Sequence, residues 1–398
     1  MYLFTSEVVS AGHPDKCADI IADTIVDILL KNDKNSRVAS EVFVAGNKVV
    51  IGGEVKSNHK LSKTDYDDLV KNVLKNIGYD GAGHFSKEQC LHPDELDVMV
   101  FLNEQSPDIN QGVDKQSGET GAGDQGIMFG FASCEAKEYM PAAISYARML
   151  CDKVYSYAKA HPHELGVDIK TQVTIDYETK ANFENCKPQS IHTIVVSAPC
   201  VESMSIEEVR KLIMKLILET NLPKELFHPE KTRILINPTG KYVNHSSLHD
   251  SGLTGRKLIV DSFGGYSPIG GGAQSSKDYT KVDRSGLYAA RWLAKNIVAA
   301  GLAKKCIVQL SYAIGVAKPT SVSVDCMGTN SSVSDEVLSD FVMSNFSLTP
   351  NWIRDKFHLD KPSKDTFLYA DVAARGQVGQ KDYPWEQLDA LEAFKKLA

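Results

Sequence analysis

The sequence predicts an α+β protein made of three similar units, and three observations carry that expectation. A chain of 398 residues, at roughly 150 per domain, has room for two or three domains. Along it an order of helix, two strands, helix and strand recurs, without a residue-level repeat or a solenoid period. The composition, 42% hydrophobic and 24% charged with 28 Gly and 15 Pro, excludes disordered, collagen-like and disulfide-scaffold classes.

Each element follows from local pattern. From Cys17 to Leu30, Ile20/Ile21, Thr24/Ile25 and Ile28 recur at helical spacing while Asp19, Asp23 and Asp27 stand four apart on another face, which predicts an amphipathic helix. Arg37–Val44 and Lys48–Val55 read as strands hinged on Gly46-Asn47, a two-residue hairpin turn. In that register Glu41 faces Gly52 and Ala39 faces Glu54, so the two glutamates share one face, opposite the core side of Val38, Val42, Val44, Val49, Ile51 and Val55. That acidic face suits a monovalent cation or a substrate ammonium, or else it is simply solvated. A helix over Ser62–Ile77 and a strand over Asp97–Leu102 complete the first unit.

The second unit is helix Pro141–Ala160, strands Lys170–Tyr177 and Ile191–Ser197, helix Ile206–Glu219 and strand Thr232–Asn237. Most of a third follows as helix Asp283–Ala300, strands Cys306–Tyr312 and Thr320–Asp325 and helix Ser334–Asn345. The expected domains are 1–102, 127–240 and 241–398. Residues 103–126 are almost free of apolar side chains and hold five Gly, too long for an ordinary connection, so they are expected to form a mobile lid loop.

The formal net charge of −7 speaks against a nucleic-acid-coating or anionic-membrane protein. Eight Cys without a C-x-x-C pair fit reduced thiols; no basic leader opens the chain and no run of 18 apolar residues occurs, so a cytoplasmic protein is expected. Positive charge is local. Within 256–284, Arg256, Lys257, Lys277, Lys281 and Arg284 stand against Asp261, Asp278 and Asp283, five positive less three negative. Gly270-Gly271-Gly272 there lets backbone approach a phosphate, and the segment leads into a helix start at Asp283. The segment is read as an anion site, the plainer alternative being a solvated glycine-rich loop.

Gly12-His13-Pro14-Asp15-Lys16 stands at the start of the first helix, where Pro is tolerated and Asp15 is either a capping acid or, like Asp283, a Mg²⁺ ligand on phosphate oxygens. Gly121–Gly126 matches G-x-G-x-x-G but lacks the strand before it and the helix after it, since Ile127–Phe131 reads as a strand, so a dinucleotide site is not expected. His245 and His249 beside Asp250 are expected in a surface loop rather than on a metal.

Taken together, GHPDK (12–16), GGE (52–54), QSPDIN (105–110), GAGDQG (121–126), GLTGRK (252–257), GGGA (270–273) and KVDRS (281–285) resemble the S-adenosylmethionine synthase family, in its order and over nearly the whole chain. The resemblance implies three similar α+β domains around a pseudo-threefold axis. It implies attack of the methionine sulfur on C5′ of ATP, then cleavage of the released triphosphate to phosphate and diphosphate. A thioether needs no deprotonation, so the demands are in-line positioning and stabilisation of an anionic leaving group.

Carried over residue by residue, the resemblance implies catalytic contacts to triphosphate from His13, Lys170, Arg256, Lys277 and Lys281. It implies nucleotide contacts from Asp124, Tyr242 (stacking on adenine), Asp250 and Lys257, and methionine contacts from Glu54, Gln105, Asp250 and Lys281. Asp15 and Asp283 resemble ligands of two Mg²⁺ and Glu41 a ligand of one K⁺. A homodimer with shared active sites, possibly paired into a homotetramer, is also implied. The chain departs from the family at Gln274 and Ser276, where Phe and Gly are usual, at His245–His249, and at Ala370–Arg375. Competing readings are a noncatalytic ATP-binding regulatory subunit and a nicotinamide-dependent dehydrogenase built on 121–126.

Overall fold

A computed structural model describes residues 1–79, 83–104 and 120–397. Strands β1 (Leu3–Val9), β2 (Arg37–Ala45), β3 (Lys48–Lys56), β4 (Asp97–Asn103), β5 (Gly126–Ser133), β6 (Lys170–Asp176), β7 (Ser190–Ser197), β8 (Arg233–Ile236), β9 (Gly252–Leu253), β10 (Lys305–Tyr312) and β11 (Ser321–Asp325) form three sheets. The main helices are α1 (Pro14–Asn32), α2 (Lys63–Ile77), α3 (Ala142–Ala160), α4 (Ile206–Glu219), α5 (Val282–Ala299), α6 (Asp335–Asn345) and α7 (Tyr369–Arg375).

Each sheet grows from a hairpin. Gly46, with φ 59°, makes the turn that sets β2 against β3 with Ala45↔Lys48, Glu41↔Gly52 and Ala39↔Glu54, the register read from the turn alone. Helix α2, capped by Ser62 and Asp65 in a reciprocal box, then returns β4 parallel to β3. The second unit repeats this through β6, β7, α4 and β8, with β8 parallel to β7. In the third, β10 pairs β11 and α6 follows.

The remaining place, beside the first hairpin strand, is filled from another segment of the chain. β1 pairs antiparallel with β6, β5 with β10, and β9 with β2. Each unit thus lends a leading strand to a neighbour, in a cycle of three, which interlocks the units and gives the pseudo-threefold its physical content. A boundary at 127 falls inside β5, and one at 241 parts β9 from the sheet it completes. Helices α1, α3 and α5 pack on the sheets that contain β2, β6 and β10.

Helix α1 departs from the amphipathic expectation. Its acids do not face water: Asp19 and Asp23 are fully buried and Asp27 nearly so. Asp19 accepts from Gly255 N–H (2.9 Å) and Lys16 Nζ (3.1 Å). Asp23 accepts from Ser276 N–H (2.7 Å) and pairs with the buried Arg284 (2.5 Å). Asp27 accepts from Tyr369 and Ala370 N–H, both 2.9 Å, and so supplies the cap that α7 lacks in its own sequence. The four-residue spacing that suggests a wet stripe is a ladder holding three other segments.

Candidate active site

Two clusters of charge form, and α1 positions the first. His13 is its N-cap: Nδ1 accepts from Asp15 N–H at 3.1 Å, and Pro14 occupies the first turn. Burial, then the nearby Lys257 and Lys170, pull the His13 ring down to about 3, so it is neutral at pH 7. With Nδ1 accepting, the proton sits on Nε2, which lies 3.9 Å from Asp250 Oδ2. Asp15, 1% exposed, accepts from Leu253 N–H (2.9 Å) and Lys257 Nζ, with Arg256 Nε at 3.5 Å. Burial pushes its pKa up, but the Lys257 and Leu253 hydrogen bonds outweigh that and hold it below the usual carboxylate range. Gly252 makes this approach feasible, since a Cβ there would lie 2.1 Å from Pro14 O.

Beside them Tyr242 OH donates to Asp168 Oδ2 at 3.4 Å, while Asp168 Oδ1 is buried without a partner among the described residues. Burial holds the Asp168 carboxyl up at about 6, against the pull of Lys170. Asp168 is the site residue that sequence reasoning missed. The signal was present: an acid two residues before Lys170, at the entry to β6, shares its side of an extended chain.

The second cluster lies at the start of α5. Lys277 Nζ pairs with Asp283 at 2.8 Å, and Gly272 is packed so closely that a Cβ would lie 2.2 Å from the Asp283 carboxylate. Lys281 is turned inward, its ammonium 2.6 Å from the buried Asp278, which also accepts from Val38 N–H. Asp124 is exposed nearby, where Gly123 N–H donates to Thr280 O. Lys277 bridges to Ala39, which pairs with Glu54, so the Glu54 and Lys277 backbones flank the same residue of β2. Glu41 and half-buried Glu54 share the outer face of β2 and β3, where Phe43 and Phe101 stand 41% and 63% exposed.

The structure therefore brings together His13, Asp15, Asp250, Arg256 and Lys257, with Tyr242 and Lys170 adjoining. Separately it gathers Lys277, Asp283 and Asp124. No hydrogen bond or ion pair among the described residues links a charged group of one cluster directly to the other. Gln105, and most of the loop 103–126 read as a lid, lie outside the described residues. Residues 126–133 form a strand, as expected, where a dinucleotide fingerprint requires a helix.

One expectation is corrected. His245 is not on the surface: it is 2% exposed, its ring meets Phe85 edge-on at 4.7 Å, and burial lowers its pKa to about 4. Ser276 stands at φ 80°, where a glycine is the easier residue, and its N–H is the group Asp23 holds.

No cluster of three or more His, Cys, Asp or Glu side chains suited to a metal exists among the described residues. Asp15 and Asp283 each offer a single carboxylate already in contact with lysine. That donor set fits Mg²⁺, which takes one or two carboxylates and completes its shell with phosphate oxygens and water.

Family models described as the N-terminal, central and C-terminal domains of S-adenosylmethionine synthetase match residues 1–107, 119–242 and 245–387. Proteins named S-adenosylmethionine synthase from Lacticaseibacillus casei (strain BL23) and Lacticaseibacillus paracasei (strain ATCC 334) are each 45% identical, over 99% of this chain and 98% of theirs. A solved structure titled as an unusual S-adenosylmethionine synthetase from Campylobacter jejuni is similar with TM-score 0.96 and 90% identity, covering 100% of both chains.

Proposed function

This chain belongs to the S-adenosylmethionine synthetase family and catalyses the family's reaction, transfer of the adenosyl group of ATP to the sulfur of L-methionine; we propose that its two clusters are the two halves of the site. The observation that supports this is the separation itself. Each cluster holds one carboxylate on a lysine at a helix start, and in this reading each supplies part of the charge a triphosphate needs.

In this reading His13, Lys170, Arg256 and Lys257 of one protomer meet Lys277, Lys281 and Asp124 of its partner around ATP. Neutral His13 donates from Nε2 to the oxygen bridging C5′ and the triphosphate as charge builds there. Arg256, Lys170 and Lys277 neutralise the leaving group, and Tyr242 stacks on adenine. Glu54, Gln105 and Asp250 receive methionine. Its neutral sulfur needs no base, so the chain's contribution is alignment and charge. Lys281 leaves Asp278 for substrate in this scheme, a rearrangement of one side chain.

The family uses metal ions. We assign two Mg²⁺ to Asp15 and Asp283 and one K⁺ to Glu41; when bound they neutralise triphosphate oxygens and order the substrate. The exposed Phe43 and Phe101 beside Glu41 favour a homodimer over that sheet face, with a homotetramer as a further step. No described helix is long and apolar enough to cross a membrane. Eight cysteines held as reduced thiols suit a cytoplasmic setting.

Mixing two inactive variants tests the shared site. In a heterodimer of Asp15→Asn and Asp283→Asn, one site carries both changes and the other neither, so random reassortment restores about a quarter of wild-type activity. No recovery, with heterodimers shown by native mass spectrometry, would place both clusters in one protomer's site.

A further inference from the structure

Outside the active site, two cysteines from distant parts of the sequence meet. Cys134 follows β5 and is exposed; Cys186 follows the short helix Lys180–Glu184 and is partly exposed. Both converge on one carbonyl: Cys134 N–H donates to Lys304 O at 3.0 Å, and the Cys186 thiol reaches the same oxygen at 3.5 Å. Ser133 Oγ is also 3.5 Å from Cys186 Sγ, and the two thiols are within hydrogen-bonding reach of each other. Of the other six cysteines, Cys17, Cys90, Cys151, Cys200, Cys306 and Cys326, every one is buried.

The backbone is set for the meeting. Cys186 stands at φ 57°, a left-handed conformation uncommon for a side chain with a Cβ, and no glycine has replaced it. Its approach is fixed from both sides, since Lys305 Nζ donates to Phe183 O and Lys304 Nζ to Asn185 Oδ1 (3.3 Å).

We propose that Cys134 and Cys186 are a reversible dithiol–disulfide modification site that responds to peroxide. The Cys186 hydrogen bond, helped by Lys304, outweighs burial and holds the Cys134 thiol down at about 7, so a large fraction is thiolate at neutral pH. Cys186 is shifted the other way, chiefly as donor in that bond, and stays protonated. Cys134 is therefore the attacking sulfur and Cys186 the resolving one.

Cys134 thiolate attacks one oxygen of hydrogen peroxide. The S–O bond forms, the O–O bond breaks, and the hydroxide released takes the proton that Cys134 had lost. Cys186 sulfur then attacks Cys134 sulfur; the S–S bond forms, the S–O bond breaks, and the second hydroxide leaves as water with the Cys186 proton. Two thiols are oxidised and one peroxide is reduced to two waters.

The bond would tie the segment that carries Phe183 to the end of β5 and the Lys304 turn. Phe183 itself packs on Tyr2, Phe4, Tyr177 and Tyr266, so the tether would clamp the seam where the central sheet meets the β5–β10 sheet.

The test uses the whole enzyme and hydrogen peroxide. After brief treatment near stoichiometric peroxide, intact mass should fall by the two hydrogens of one disulfide. A single cross-linked peptide pair, Cys134 with Cys186, should appear and disappear on reduction, and the oxidised protein should melt at a higher temperature. Cys134→Ser should block the mass change and leave activity before oxidation unchanged; Cys186→Ser should instead accumulate a sulfenic acid on Cys134, trapped by dimedone. Sulfinic acid at Cys134 without cross-linking in the wild type, or cross-links spread over other cysteines, would overturn the proposal.

Discussion

The two clusters reach similar composition by opposite means. Around Asp15, α1 does the positioning: His13 caps the helix, and Asp15 and Asp19 grip the backbone of Leu253 and Gly255. Asp23 and Asp27 extend the same grip to Ser276 and to α7. Around Lys277, Glu41 and Glu54 the side chains stand on a sheet face and at a loop edge, with Lys277 and Asp283 side chains holding only one another among the described residues. One half is wired into the fold before substrate arrives, and the other waits for its partner. A charge that only holds the fold, as Asp23 does on α1, should therefore report mainly on stability, and one in the open region mainly on ligand.

The sharpest break is Asp23→Asn. It leaves Arg284 buried without its counter-charge, a loss on the order of 3–5 kcal/mol in unfolding free energy. Denaturant unfolding at fixed protomer concentration measures it. A loss below 1 kcal/mol would mean that the ladder is incidental.

Lys277→Met should show the converse. Removing one preorganised charge contact to the leaving group should lower turnover by about 10²–10³, with methionine affinity and melting temperature little changed. Collapse of methionine affinity with turnover intact would refute the assignment.

The acidic face of the hairpin sharpens the comparison within the open half. Glu54→Gln should weaken methionine binding by roughly 10- to 150-fold, the value of one charge-assisted contact. Glu41→Gln should lose most K⁺ stimulation and keep methionine binding. Identical responses to K⁺ and methionine in the two variants would remove the division of roles.

The last effect is one of pH. Burial raises Asp27 to about 7 despite two backbone N–H donors, from 3.8 in the unfolded chain. Between these values the folded state holds more of the proton, so this contribution is full below pH 4 and lost as pH rises through 7. Asp27→Asn should flatten that part of the stability–pH curve. An unchanged slope between pH 4 and 7 would show that other groups set it.

Much of this was legible because it is local. Gly46-Asn47 fixes a register that can be counted by hand, and Ser62, Ser205 and Ser334 cap their helices as Ser does. The clustering of Arg256 and Lys257 near His13 and Asp15 was open to sequence only through resemblance, because Asp15 and Lys257 stand 242 positions apart in the chain.

What the sequence by itself determined is the three-unit α+β order, the hairpin register and the helix starts that carry Asp15 and Asp283, all products of hydrogen bonds and side-chain periods within a few residues. Only the tertiary structure decided that β1, β5 and β9 complete sheets belonging to other units, that His245 is packed inside, and that the acids of α1 face protein rather than water. A pattern of period four states that Asp19, Asp23 and Asp27 share a side. It cannot state what covers that side, because the Gly255, Ser276 and Tyr369 amides that satisfy them come from over 230 residues away, and such pairings are set by how the whole chain closes.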